Sequence, residues 1–392
     1  MSARSILLKL FDAALRAVDG RACVAGFLRR LPPPSAVEVF AIGKAASAMA
    51  RGARDSLGER IERMLVITKI GHSDPALHGE NVRQVESPHP VPDLRSLAHG
   101  ALLENSVREL PAHVLPLFLV SGGSSSLVEA LRDGISFEDL RALNVKGLAC
   151  GWDIATLNRE RAGLSRIKGG GIARLLGERR ALALFISDVP GDDPDVIGSG
   201  LLGRGAPGDR VERRIVASVD SAVNAAVQAG GAHGLELETR ATRFDADACA
   251  VARQFVEALR STSADGLVWG GESTVELPVN SGRGGRNTHL ALTAARLLRA
   301  GEPLTILAAG TDGTDGPTDD AGAIVDAGSV ERAELAGCDV ELAFRAFDSA
   351  TALEAAGDLV HTGPTGTNVG DLLVGIKQSA KSLRGLTPPR VL

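Results

Sequence analysis

Leu115-Pro116-Leu117-Phe118-Leu119-Val120-Ser121-Gly122-Gly123-Ser124-Ser125-Ser126 is the stretch on which the fold turns. A short apolar run that breaks into glycine and small hydroxyl residues reads as a buried strand, a loop and the start of a helix. The same pattern recurs along the chain. Val37–Ile42 runs into Gly43-Lys44, and Ala181–Ile186 runs into Ser187-Asp188-Val189-Pro190-Gly191-Asp192-Asp193. Gly266–Trp269 runs into Gly270-Gly271-Glu272-Ser273-Thr274, Leu304–Ala309 runs into Gly310-Thr311-Asp312-Gly313-Thr314-Asp315-Gly316, and Met64–Thr68 is a further strand.

Strand, polar loop and helix repeated this often predict an α/β protein with mainly parallel sheets. Ligands of such sheets gather beyond the carboxyl ends of the strands, where all these loops lie. The expected architecture is two Rossmann-like domains, residues 1–235 and 236–392, with an interdomain cleft onto which the loops converge. The turn-rich stretch Gly203–Gly208 lies near the junction, and Leu7, Leu8, Phe11, Ala14, Leu15 and Val18 form an apolar stripe on an N-terminal helix.

Composition narrows the function. The 392 residues carry 43 basic and 48 acidic side chains, a net charge of -5, which gives no reason to expect nucleic acid or an anionic membrane as partner. Ten Phe, two Trp and no Tyr leave little for stacking bases. Cys23, Cys150, Cys249 and Cys338 are scattered without a C-x-x-C pair, so they read as reduced thiols. Lys9, Asp12 and Arg16 interrupt the first apolar stretch and no run is long enough to span a bilayer, so the expected location is cytoplasmic.

The loops carry the chemistry. Ser121, Gly122, Gly123, Ser124 and Ser125 offer backbone N–H groups and hydroxyls to an anion, or Ser124 simply caps a helix. Lys44 follows a strand directly, where a compact positive charge suits a phosphate. Arg283 and Arg286 in the glycine-rich loop Ser281–Asn287 suggest a forked clamp on phosphate or carboxylate. Asn158, Arg161, Ser165, Arg166 and Lys168 precede Gly169-Gly170-Gly171 and read as a further anion contact, or as a basic helix with a glycine stop.

Two acidic clusters, Asp188, Asp192, Asp193 and Asp195, then Asp312, Asp315, Asp319 and Asp320, suit Mg²⁺ or proton acceptance from a hydroxyl. They also suit tight turns and helix caps. Thr362–Asn368, with Thr365 and Asn368, fits oxygen recognition or ordinary turn chemistry. The eight histidines show no H-x-x-x-H or H-E-x-x-H spacing, against a zinc site. No G-x-x-x-x-G-K-[ST] and no G-x-G-x-x-G in a strand–helix context occurs, against a P-loop and a conventional nicotinamide site.

Taken in order, these motifs resemble the glycerate 2-kinase family, whose C-terminal part is called the MOFRL domain. The segments that carry the resemblance run from Ile42-Gly43-Lys44-Ala45-Ala46 and His89-Pro90-Val91-Pro92-Asp93 through Val120–Leu127, Asn158–Gly170 and Ser187–Gly200. Gly270–Val275, Gly284–Asn287, Ala308–Ala323 and Thr362–Asp371 complete it. The resemblance implies transfer of the ATP γ-phosphoryl group to D-glycerate with Mg²⁺, giving 2-phosphoglycerate. It implies Lys44 and Arg286 as the catalytic pair, with Asp188 and Asp315 beside them. Asp188, Asp192, Asp312 and Asp315 become the expected metal ligands, and Glu272, Asn287, Thr365 and Asn368 join the substrate-binding residues.

The partners so implied are a small-molecule acid and a nucleotide, and a homodimer is an admissible assembly. The chain departs from the family in having Asn287-Thr288-His289 where Asn-Gln-Glu is usual, and Leu201 in place of a proline. Rival readings are a nicotinamide-dependent hydroxypyruvate reductase, a name some relatives carry, and a non-catalytic sugar-acid or phosphosugar binding protein.

Overall fold

The computed structural model describes residues 2–378 except 150–153, 206, 207, 209 and 279. Cys150 and the Ala206-Pro207 part of the turn-rich stretch therefore lie outside the described residues. The strands are β1 Val37–Ile42, β2 Ile61–Lys69, β3 Val82–Ser87, β4 Leu115–Val120, β5 Ala181–Ile186 and β6 Val211–Ala217 in one sheet. A second sheet holds β7 Leu237–Thr239, β8 Gly266–Gly271, β9 Leu304–Gly310, β10 Gly322–Asp326, β11 Leu359–Val360 and β12 Asp371–Lys377.

The chain divides into two units, though not at residue 235. One comprises residues 18–218 and 366–369, and the other residues 1–17, 219–365 and 370–392. The N-terminal helix Ala3–Ala17 falls in the second unit because its buried stripe Leu7, Leu10, Phe11 and Ala14 packs on the helix Val219–Ala232 and on β12. Leu8, expected in that stripe, is exposed.

The first sheet is parallel throughout, in the order β3-β2-β1-β4-β5-β6. Every residue of β1 is buried, as is every residue of β5, and both are apolar apart from Glu38, whose carboxylate pairs with Arg63 at 2.8 Å. Phe40 of β1 stacks on Phe118 of β4 with ring centroids 4.9 Å apart, within a core that includes Ile42, Val120 and Phe185. Each such side chain contributes about 1.5–3 kcal/mol by leaving water.

The second sheet has the order β11-β10-β9-β12-β8-β7 and is mixed, against the expectation of mainly parallel pairing. Among its pairings β7–β8 is parallel and the others are antiparallel. The acidic loop between β9 and β10 contains no crossover helix, so β10 must return antiparallel. β12 then fills the gap between β8 and β9, running against both. The core of this unit is built on Phe255, Leu290, Leu292 and Leu373, with Phe244 edge-on to Trp269.

Candidate active site

In the unit of residues 18–218 the strand order reverses between β1 and β4, which opens a crevice beyond their carboxyl ends. The register pairs Ile42 with Val120, so the two strands end level and their loops emerge side by side. The Lys44 amide donates to the Gly122 carbonyl at 3.0 Å, and the Ala45 amide to Ser121 Oγ at 3.0 Å. Gly43 has φ 129°, and a Cβ there would lie 2.2 Å from Ser121 Oγ, so only glycine fits. Lys44 itself is half-buried.

Asp188 follows β5 and reaches the same loop. A Cβ on Gly122 would lie 1.9 Å from Asp188 Oδ2 and 2.0 Å from Asn368 Nδ2. Asn368 donates to Asp188 Oδ2 at 3.1 Å. Ser125 Oγ lies 2.6 Å from Ser199 Oγ, and the Ser199 hydroxyl donates to Asn158 Oδ1 at 3.1 Å. Lys168 and Glu129 form a buried ion pair at 2.5 Å. Burial pulls the Lys168 ammonium down to about 8 against the attraction of Glu129, and the positive charge of Arg161 adds to the fall. Burial likewise lowers Arg161, with Glu129 opposing.

The other unit assembles a second cluster. Asp371 opens β12 opposite Gly271 and Gly310, so it sits between the ends of β8 and β9. Arg286 begins the helix Arg286–Leu297 and donates Nε and Nη2 to the two oxygens of Asp371, at 2.6 and 2.9 Å. Its Nη1 lies 2.7 Å from Glu272 Oε1. Burial works against this guanidinium, but Asp371 and Glu272 outweigh it and hold it well above its ordinary value. Asn287 Nδ2 also donates to Asp371, at 3.0 Å.

Asp315 closes the start of that helix. Its oxygens accept the amides of Gly285, Asn287 and Thr288 at 3.1, 2.9 and 2.7 Å and the Thr288 hydroxyl at 2.7 Å. Both oxygens are thus committed to the helix start. The geometry fits a cap that positions Arg286, and it does not fit the metal-ligating and proton-accepting roles expected of Asp315. Asp312 Oδ1 accepts from the amide and hydroxyl of Thr314, and Thr365 donates to the Thr311 carbonyl at 2.5 Å. Arg283 is tied to Asp320 and Glu354, and Arg286 to Asp371 and Glu272, so the two arginines hold separate carboxylate pairs and do not form the expected clamp.

No group of three or more His, Cys, Asp or Glu side chains with metal-holding geometry occurs among the described residues. A Mg²⁺ ion that keeps its waters and shares phosphate oxygens needs only one or two carboxylates. The half-buried Asp188 and Asp192 after β5 fit that demand.

Models of two domain families match the chain: a domain of unknown function, DUF4147, over residues 6–229, and the MOFRL family over residues 266–371. The D-glycerate 2-kinase of Thermotoga maritima is 34% identical, with 87% of this chain and 90% of that protein aligned. The crystal structure of glycerate kinase from Thermotoga maritima matches with a TM-score of 0.83 and 32% identity, over 95% of this chain and 99% of that one. The chain belongs to the glycerate 2-kinase family. A protein of Agrobacterium vitis, 34% identical over 95% of this chain and 94% of its own, is called a putative hydroxypyruvate reductase.

Of the residues expected to serve a glycerate 2-kinase family site, Lys44, Ser121, Gly122, Gly123, Asp188 and Asn368 come together in one unit. Ser125 and Asn158 meet through Ser199, and Lys168 meets Glu129. Arg286, Glu272 and Asn287 come together in the other unit around Asp371. Asp371, Glu129 and Ser199 were not expected as site residues. A single carboxylate inside an apolar run, as in Gly370-Asp371-Leu372-Leu373 and Val128-Glu129-Ala130, is the signal that marks the first two.

Proposed function

We propose that this chain catalyses ATP-dependent phosphorylation of D-glycerate on its 2-hydroxyl, with Mg²⁺, as a cytoplasmic enzyme. The observation that carries the reading is the joined Lys44 and Ser121–Gly123 loop at the strand-order reversal, in a chain that aligns with 90% of a D-glycerate 2-kinase. Glycine on both sides lets a phosphate or carboxylate approach backbone N–H groups closely. Four scattered cysteines without a C-x-x-C pair suit a reducing compartment.

Phosphoryl transfer is mainly a matter of positioning and of neutralising charge. In this reading Lys44 brings positive charge to phosphate oxygens at the loop of its own unit, and Arg286 is the catalytic cation of the other unit. Asp371 and Glu272 keep the guanidinium ionised and fix its plane. Asp188, steadied by Asn368, orients the acceptor hydroxyl or holds the metal with Asp192. Mg²⁺ supplies charge neutralisation on phosphate oxygens when bound. Asp312 and Thr365 add polar groups to the unit that holds Arg286.

The test is a coupled measurement of ADP release with D-glycerate, L-glycerate, tartronate and hydroxypyruvate, with product NMR to locate the phosphate. ADP release with D-glycerate and a phosphate on C2 is the expected result. Oxidation of a reduced nicotinamide cofactor by hydroxypyruvate, without ADP release from any acid, would overturn the reading.

A further inference from the structure

Three charged side chains are buried together in the unit of residues 18–218. Glu129 and Lys168 are fully buried and Arg161 is 8% exposed. The Lys168–Glu129 pair cancels, and the second Glu129 oxygen accepts the Ala130 amide at 3.0 Å. Arg161 is left as an unbalanced cation. Its Nε and Nη2 are buried and have no hydrogen-bond partner among the described residues. An unpaired buried guanidinium costs several kcal/mol, so a fold that keeps one holds it for a group that arrives from outside.

The neighbours state what kind of anion that is. Asn158 lies one turn before Arg161 on the helix Ile154–Leu164, hence on the same face. From Asn158 a line of neutral groups runs through Ser199 to Ser125, which is half-buried at the serine loop. The Ser124 hydroxyl is also buried without a partner among the described residues. One forked cation followed by hydroxyl and amide groups matches a carboxylate with hydroxyls on the adjoining carbons. A polyphosphate would call for several cations instead.

The geometry points to Arg161 as the residue that receives the carboxylate of the acceptor, making this unit selective for short 2-hydroxy acids over polyols. The assignment rests on the glycerate reading and adds the residue and the chemical group that set its specificity. The Ser125–Ser199–Asn158 line takes the acceptor's hydroxyls. Ser199 has φ 56°, a strained conformation for serine that aims its hydroxyl into this line.

The experiment compares wild type, Arg161→Met and Arg161→Lys by thermal stabilisation with D-glycerate or glycerol, without nucleotide, and by steady-state kinetics. Wild type is stabilised by D-glycerate and not by glycerol. Arg161→Met loses that stabilisation, melts no lower than wild type without ligand, and shows a glycerate KM raised about 10- to 100-fold at unchanged ATP KM. Arg161→Lys, which keeps the charge without the fork, falls between the two and serves if the methionine variant does not fold.

Retained glycerate stabilisation in Arg161→Met, or a defect confined to ATP, overturns the assignment, the second outcome making the anion a nucleotide phosphate. ADP release by wild type with a normal glycerate KM in the variants sinks the assignment alone. Glycerate stabilisation that depends on Arg161 with no ADP release sinks the kinase reading alone.

Discussion

Arg286 holds Asp371 through two parallel hydrogen bonds, 2.6 and 2.9 Å long, and Asp371 is fully buried at the first position of a central strand. The pair therefore does two things at once. It fixes the plane of the guanidinium, and it pairs a buried carboxylate whose charge is costly without a partner.

Arg286→Ala accordingly loses both activity and stability. We expect kcat to fall about 10²–10³-fold, and urea denaturation to register a loss of about 3–5 kcal/mol from the orphaned Asp371. The double variant Arg286→Ala/Asp371→Ala regains much of that stability and none of the turnover. Equal stability of the single and double variants would refute the coupling.

Asp315 and Asp188 separate the cap from the metal ligand. Asp315→Asn replaces one of two oxygens that together accept four hydrogen bonds and should cost about 2–4 kcal/mol of stability, with the Mg²⁺ concentration for half-maximal activity unchanged. Asp188→Asn should leave stability nearly intact and raise that Mg²⁺ concentration at least about tenfold. A Mg²⁺ titration of both variants decides, and the reverse pattern would restore Asp315 as a ligand.

Gly43→Ala and Gly122→Ala probe the packing of the loops after β1 and β4. Their new Cβ atoms would lie 2.2 Å from Ser121 Oγ and 1.9 Å from Asp188 Oδ2. Each variant should lose more than about 2 kcal/mol or displace its neighbour, and Gly122→Ala should mimic Asp188→Asn in its Mg²⁺ requirement. Wild-type kinetics in Gly122→Ala would mean that Asp188 acts elsewhere.

Lys168 gives a pH signature. Its ammonium titrates near 8 in the fold, and near 10.4 when the chain is unfolded. Between those values the unfolded chain binds the extra proton, so stability rises with pH across that window. Catalytically the sign is opposite. Below about 8 the Glu129, Lys168 and Arg161 group carries one net positive charge, and above it none, so the glycerate KM should rise through pH 8. Lys168→Met should show a raised, pH-independent KM, and a pH-independent KM in wild type would remove Lys168 from this role.

Much of the first sheet is legible in the sequence because a strand buried on both faces is mostly apolar, Glu38 of β1 aside, and ends where glycine or serine begins. Val37–Ile42 and Leu115–Val120 are read to the residue. The adjacency of Lys44 and Ser121 follows once the sheet is doubly wound. The place of β12 is not legible, because Leu372-Leu373-Val374 carries no mark of which strands flank it or in which direction they run. Nor does an Asp-Gly turn disclose whether its carboxylate faces a metal or the start of a distant helix, and Asp315 turns on that difference. Arg161 was readable as an anion contact, but only burial reveals that its charge goes uncancelled.

The assignment of Gly366–Val369 to the unit that otherwise ends at Ser218 has a bearing on biosynthesis. The amide that steadies Asp188 is translated 180 residues after the carboxylate it serves. The helix Ala3–Ala17 likewise waits for β12, which is made far later in the chain. A ribosome-bound half-chain holds neither finished body, and an excised fragment 18–218 would present Asp188 without its Asn368 clasp.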